Sequence, residues 1–162
     1  HTDTRGDSML RTILGVIVGY IAMFVIVVGL LFGLYAILGQ DGSFEPGTFE
    51  PSMLWLVLMF IVGLVASIVG GMVCACVSKG SSKARGGLVV LVMVLGLLMA
   101  VGQLMQPEPT AEELARGTEM SNIEAMNNAR TPLWVAFSQP FLGAAGVLIG
   151  SGLVGSRSKS RA

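Results

Sequence analysis

The feature that most constrains this chain is an apolar stretch from Thr12 to Leu38 that contains no charged side chain. An α-helix rises about 1.5 Å per residue, so about 20 apolar residues cross the roughly 30 Å hydrocarbon core of a bilayer. The stretch is too long for the apolar core of a secretory signal, which spans about 7–15 residues. The sequence therefore predicts an uncleaved helix that spans a membrane.

Three further uncharged stretches, at about 53–77, 88–105 and 133–154, are long enough to do the same. Lipid offers no partner to backbone N–H and C=O groups, and the apolar runs lack the alternation of a β-barrel strand, so all four should be helical. The predicted fold class is all-α. We expect an integral membrane bundle of four transmembrane helices arranged as two hairpins, with a short helical outer loop between helices 3 and 4.

The composition agrees with this class and excludes others. The chain is 53% hydrophobic and 12% charged, about half the charged fraction of a soluble domain, and it is too apolar to be disordered. Two cysteines and one histidine cannot build a disulfide framework or a metal site. We therefore expect no cofactor and no metal, and the formal net charge of +0 gives no indication of a nucleic-acid partner.

The charged residues divide sharply between the two ends of the predicted helices. Eight of the ten basic residues lie on one side: Arg5, Arg11, Lys79, Lys83, Arg85, Arg157, Lys159 and Arg161. Eight of the ten acidic residues lie on the other: Asp41, Glu45, Glu50, Glu108, Glu112, Glu113, Glu119 and Glu124. Short loops rich in Lys and Arg stay in the cytoplasm, so both termini are predicted to be cytoplasmic and loops 39–52 and 106–131 to lie outside.

The chain divides into a cytoplasmic segment at 1–11, a single transmembrane domain at 12–155 and a basic cytoplasmic tail at 156–162. Met9 is a natural start, so we expect residues 1–8 to be a leader or added sequence. Within the second outer loop, Thr110 to Glu113 and Ser121 to Glu124 each fit a capping box, which predicts two short helices. The general architecture is similar to that of small four-helix inner-membrane proteins of bacteria, and this resemblance implies a bacterial inner membrane.

Small residues recur at helical spacing in three of the four helices. Membrane helices associate through close backbone approach, so we expect these positions to pack helices within the chain. The alternative is a contact between two copies of the chain. The candidates are Gly15, Gly19, Gly29, Gly33, Gly63, Ser67, Gly71, Gly146 and Gly150. Three aromatic residues at the outer ends of the helices, Tyr35, Trp55 and Trp134, are predicted to be interface anchors.

The candidate polar site consists of Gln103, Ser138, Gln139 and Pro140. Pro140 lacks the N–H that would pair with the Ala136 carbonyl, so a kink with polar neighbours could form a small pocket in the outer half of the bundle. The alternative interpretation, which we favour, is that these side chains form ordinary hydrogen bonds between helices.

No charged residue lies within the four stretches, which argues against a proton relay or a voltage sensor, and no catalytic motif is present. Cys74 and Cys76 have the wrong spacing for a thiol oxidoreductase, and we interpret them as small apolar residues. The first hypothesis is therefore a non-enzymatic accessory or interaction subunit whose partners are lipid and another membrane protein or a second copy. The alternative is a channel or carrier for a neutral or apolar solute at the Pro140 region, and the third is a lipid-modifying enzyme.

Overall fold

The computed structural model describes residues 3–48, 50–105 and 131–159. They form four helices: α1 (Asp3–Ser43), α2 (Met53–Val77), α3 (Ser82–Leu104) and α4 (Leu133–Lys159). Each contains a stretch long and apolar enough to cross a membrane, so the prediction of an all-helical fold with four such helices is confirmed for the described part of the chain. The short helices predicted in the second outer loop fall on residues 106–130, outside the described part of the chain.

Helices α1 and α3 begin earlier than the apolar stretches because helix formation does not stop at the first charged residue. α3 starts at Ser82 and includes Lys83 and Arg85, which are exposed. At its other end, α1 bends at Gly39, whose backbone angles are φ 64° and ψ −168°. Glycine adopts positive φ without a steric penalty, so the chain turns there, directly after the predicted end of the apolar stretch at Leu38.

Serine hydroxyl groups define where α2 and α3 begin. The Ser52 side chain accepts a hydrogen bond from the backbone N–H of Trp55 at 3.2 Å and donates one to the carbonyl of Gly42 at 2.7 Å. Ser81 caps α3 in the same way through the N–H of Ala84. An N-cap hydroxyl satisfies one of the N–H groups that a helix leaves without an internal acceptor, so each serine fixes the start of its helix.

The helices pack in the spatial order α1, α2, α4, α3. The most extensive interfaces join α2 to α4, α1 to α2 and α3 to α4, whereas α1 and α3 touch over a smaller area. The described buried apolar residues include Val62 and Ala66 of α2, Leu88 of α3 and Val147 of α4. Among the four pairs of helices that are neighbours around the bundle, α1 and α3 have the smallest contact, so the side of the bundle between them is the most open.

Glycines allow α2 to approach both α1 and α4 closely. A Cβ atom at Gly19 would lie 2.8 Å from the Cβ of Cys74, and one at Gly71 would lie 2.5 Å from the carbonyl oxygen of Val147. Other small residues predicted for packing lie in the same two interfaces: Gly15 faces α2, and Gly146 and Gly150 face Ser67 and Ile68. Any larger residue at these positions would force the helices apart.

Two of the predicted packing glycines, Gly29 and Gly33 of α1, lie on an exposed face of the helix. A Cβ atom at Gly29 or Gly33 would have no neighbouring atom within 4 Å in the described part of the chain. Both glycines are exposed, as are their neighbours Phe32 and Ile37. This face of α1 therefore makes no close helix contact with the described helices.

Candidate functional site

A cavity of about 850 Å³ lies among the four helices. Tyr20, Met23 and Val27 of α1 form one wall, and α3 contributes the opposite wall from Val92 to Gln103. Residues of α2 and α4 close the back, and Thr131, just before α4, lies at one end. The cavity occupies the gap left where α1 and α3 separate.

Two glycines shape the back of this cavity by making room for side chains of α4. A Cβ atom at Gly96 of α3 would lie 2.5 Å from Cγ of Pro140, and one at Gly63 of α2 would lie 2.9 Å from Oε1 of Gln139. The Pro140 ring therefore packs directly against Gly96 of α3, and the Gln139 side chain packs against Gly63 of α2. Three of the four predicted pocket residues, Gln103, Gln139 and Pro140, line the cavity.

Gln139 is a polar residue on the wall of the cavity. Its side chain forms no hydrogen bond with any described residue, although it is partly buried. An amide in apolar surroundings without a hydrogen bond costs about 1–3 kcal/mol by mutational measures. The amide group of Gln139 therefore offers two donors and an acceptor to whatever occupies the cavity.

The remaining predicted pocket residues form local hydrogen bonds. The Gln103 amide nitrogen donates to the carbonyl of Thr131 and so ties the end of α3 to the start of α4. The Ser138 hydroxyl donates to the Val135 carbonyl of its own helix at 3.0 Å and does not line the cavity. Gln103 thus closes one end of the cavity, and Ser138 lies outside it.

α4 continues as a helix through Pro140, which is buried. Because proline has no N–H, the carbonyl of Ala136 loses its usual partner four residues on. Ala136 lines the cavity beside Gln139. The turn of α4 that contains this carbonyl and Gln139 therefore forms part of the back of the cavity.

Tyr20 was not among the predicted pocket residues. In the structure Tyr20 lines the cavity from α1, and it forms no hydrogen bond with a described residue. A tyrosine deep in an apolar helix was the available signal, but the sequence does not show which helix it faces. Tyr20 of α1 and Gln139 of α4 thus place polar side chains on two different helices of the cavity wall.

The rest of the cavity wall is mostly apolar and is open on one side. Met99 is 78% exposed although it lines the cavity, and Leu98 of the same helix is 62% exposed. On α1, Phe24 and Val25 are similarly exposed. An apolar molecule outside the bundle would therefore reach the cavity between α1 and α3 without crossing a layer of described charged residues.

The predicted interface anchors cluster at the end of the bundle that carries Asp41, Glu45 and Glu50, here called the acidic end. Tyr35 is buried and contacts Trp55 edge to face, with ring centroids 5.9 Å apart. Trp134 is exposed and stacks on Phe60 of α2 at 6.0 Å. The aromatic residues therefore hold the helix ends together.

The described residues contain no group of three or more His, Cys, Asp or Glu side chains that could hold a metal ion. Cys74 is buried against Gly19, whereas Cys76 is exposed, so the two thiols are in different environments. Compared with protein-family models, curated proteins and solved structures, the chain matches none of them.

Proposed function

We propose that this protein spans a membrane and binds a neutral, largely apolar molecule in the cavity between α1, α3 and α4, as a carrier or channel for such a solute. Four helices of sufficient length and apolarity support the membrane location. The distribution of basic residues supports cytoplasmic termini, with loops 39–52 and 106–131 outside. A bacterial inner membrane is the location that we propose.

The observation that carries the proposal is the Gln139 amide, which lines an apolar cavity and forms no hydrogen bond with a described residue. A polar group in apolar surroundings is costly unless a ligand or water pairs with it. Tyr20 offers a second hydrogen-bonding group from α1. Mostly apolar walls with a few convergent polar groups are typical of ligand sites, and about 850 Å³ is within the usual range of about 300–1,000 Å³.

The chemistry of the wall limits the solute. None of the described lining residues is charged, so an ion would lose its hydration without compensation. A molecule with a hydroxyl or carbonyl group on a hydrocarbon chain would pair with Gln139 and place its chain against Met23, Val27 and Met99. The opening between α1 and α3 would admit such a molecule from the lipid.

The test uses the purified protein in uncharged detergent micelles and a long-chain primary alcohol that carries a diazirine. After illumination, mass spectrometry locates the label, which we expect on the cavity stretches of α3 and α4. Gln139→Leu should weaken binding about two- to tenfold, because it removes one hydrogen bond worth about 0.5–1.5 kcal/mol. The matched control is Ser138→Ala, whose hydroxyl bonds to its own helix and does not line the cavity.

A second pair of variants tests the cavity itself. Gly102 lines the cavity, and a Cβ atom there would have nothing within 4 Å, so Gly102→Phe should fill the space without a backbone clash. Gly86 of the same helix is equally open but does not line the cavity, so Gly86→Phe is the control. Loss of labelling in Gly102→Phe alone supports the proposal. Uniform labelling along the chain, or equal loss in both variants, contradicts it.

A second candidate function, as an accessory or interaction subunit, is favoured by the open face at Gly29 and Gly33. Paired glycines at this spacing let two copies of a helix approach closely, so the partner that fits best is a second copy of α1. Chemical cross-linking after Phe32→Cys should give a dimer that Gly29→Leu abolishes. A protein that stays monomeric at high concentration in micelles contradicts this candidate.

A further inference from the structure

A second cavity, of about 780 Å³, lies at the end of the bundle that carries Arg11, Lys79, Lys83 and Arg85, here called the basic end. It is formed where the start of α1 passes the turn between α2 and α3. Arg11, Lys79 and Lys83 line it. Each of these cations comes from a different segment, so the fold itself brings the three charges together.

Negative charge is missing from the described wall of this cavity. None of its described lining residues is acidic, and Arg11, Lys79 and Lys83 form no ion pair with the part of the chain that the structure describes. Hydroxyl groups of serines and a threonine complete the wall, among them Ser82, which forms no hydrogen bond with a described residue. Three cations and the Ser82 hydroxyl around one cavity favour an anion with several oxygen atoms.

The start of α3 adds backbone donors at the same place. Ser81 is the N-cap of α3, and its hydroxyl already accepts from Ala84 and lies 3.4 Å from the hydroxyl of Thr12. The backbone N–H groups of Ser82 and Lys83, in the first turn, have no acceptor within the helix. A helix start that carries partial positive charge next to basic side chains stabilises a phosphate group.

The turn places the Lys79 side chain here despite an unfavourable backbone. Lys79 has φ 52°, in the left-handed region, and Gly80 follows with φ 77°. The N–H of Gly80 donates to the Ala75 carbonyl at 2.8 Å and that of Lys79 to Cys76, a Schellman turn. Glycine is the usual residue at the position of Lys79 in this turn, so the lysine is retained at a conformational cost.

We propose that this cavity at the basic end binds a phosphate group, either the headgroup phosphate of an anionic lipid or a free phosphate. The lipid source fits a cavity at the end of membrane-spanning helices, where basic pockets hold anionic headgroups. Arg11 supplies a bidentate donor, and Lys79 and Lys83 neutralise the charge from the other side. This site is separate from the apolar cavity, and its test does not depend on the solute proposed there.

The test measures binding to the intact protein in uncharged detergent micelles. Native mass spectrometry compares phosphatidylglycerol with a diacylglycerol of the same acyl chains, which lacks the phosphate. A second arm titrates inorganic phosphate and follows its phosphorus resonance. Lys83→Gln should weaken phosphate binding about fivefold, corresponding to about 1 kcal/mol for one basic residue at the surface. Arg85→Gln is the matched control, because Arg85 lies in the same turn of α3, is exposed and does not line the cavity.

Preference for phosphatidylglycerol over diacylglycerol, weakened by Lys83→Gln and by Arg11→Gln but not by Arg85→Gln, supports the site with a lipid as its source. The same dependence for inorganic phosphate, without a preference between the lipids, supports the site with free phosphate as its source. Equal weakening by Arg85→Gln shows only general charge attraction and overturns the proposal. Binding of neither phosphate probe overturns it as well.

Discussion

The packing of α2 on α4 predicts that replacing a glycine by alanine lowers the stability of the fold at one position and raises it at another, depending on the space around the glycine. Gly71 of α2 and Gly33 of α1 both belong to patterns of small residues at helical spacing. The experiment replaces each of them by alanine. At Gly71 the new Cβ would lie 2.5 Å from the carbonyl oxygen and 2.9 Å from Cα of Val147. At Gly33 it would have no neighbour within 4 Å among the described residues.

The magnitude follows from these distances. An ordinary Cβ contact needs at least 3.4 Å, so α2 and α4 must separate by most of an ångström around Gly71. The clashing atoms belong to the backbone and cannot rotate away. Overpacking of this kind costs about 1–3 kcal/mol, and the better helix propensity of alanine returns at most about 1 kcal/mol. Gly71→Ala should therefore destabilise the fold, whereas Gly33→Ala should stabilise it by about 0.5–1 kcal/mol.

The assay is reversible unfolding in mixed micelles with increasing sodium dodecyl sulfate, followed by the fluorescence of Trp55 and Trp134. The protein must be dilute enough to remain monomeric, so that contacts between copies at Gly33 do not contribute. A stable Gly71→Ala variant would refute the close approach of α2 and α4. Destabilisation by Gly33→Ala under these conditions would show that this face packs within the chain.

Three further predictions follow from single contacts. Gln139→Leu should stabilise the folded protein by at most about 1–3 kcal/mol, because it removes an amide that forms no hydrogen bond with a described residue, whereas Ser138→Ala should change little; destabilisation by Gln139→Leu in the same unfolding assay contradicts this prediction. Lys79→Gly should raise stability by about 1 kcal/mol by relieving the left-handed backbone, and a loss of stability would contradict it. A membrane-impermeant maleimide should label exposed Cys76 only in vesicles that present the cytoplasmic side, while Cys74 stays unlabelled; labelling from the opposite side contradicts the orientation.

The number and apolar character of the helices could be predicted from the sequence because backbone hydrogen bonding in lipid leaves few choices. The bounds of α2 agree with the uncharged stretch at 53–77. The bounds of α1 and α3 differ from those of the uncharged stretches. An uncharged stretch shows which residues can lie in lipid, but the helix continues as long as its backbone hydrogen bonds do. Charged residues such as Lys83 are readily accommodated in the first turn of a helix.

The candidate polar site could be predicted in part. Gln103, Gln139 and Pro140 line one cavity, whereas Ser138, one residue from Gln139, does not. Adjacent residues in a helix point about 100° apart, and only the packing of α4 on α2 and α3 decides which of them faces the cavity. Whether Tyr20 faces the cavity depends in the same way on which helices pack against α1.

The central claim, that the apolar cavity holds a neutral molecule paired with Gln139, is tested most directly by a crystal structure grown from a lipid phase that contains the long-chain alcohol. We expect the alcohol chain between α1 and α3 and its hydroxyl within hydrogen-bonding distance of the Gln139 amide. A cavity filled by side chains, with Gln139 bonded to the protein and no alcohol between the helices, would contradict the account.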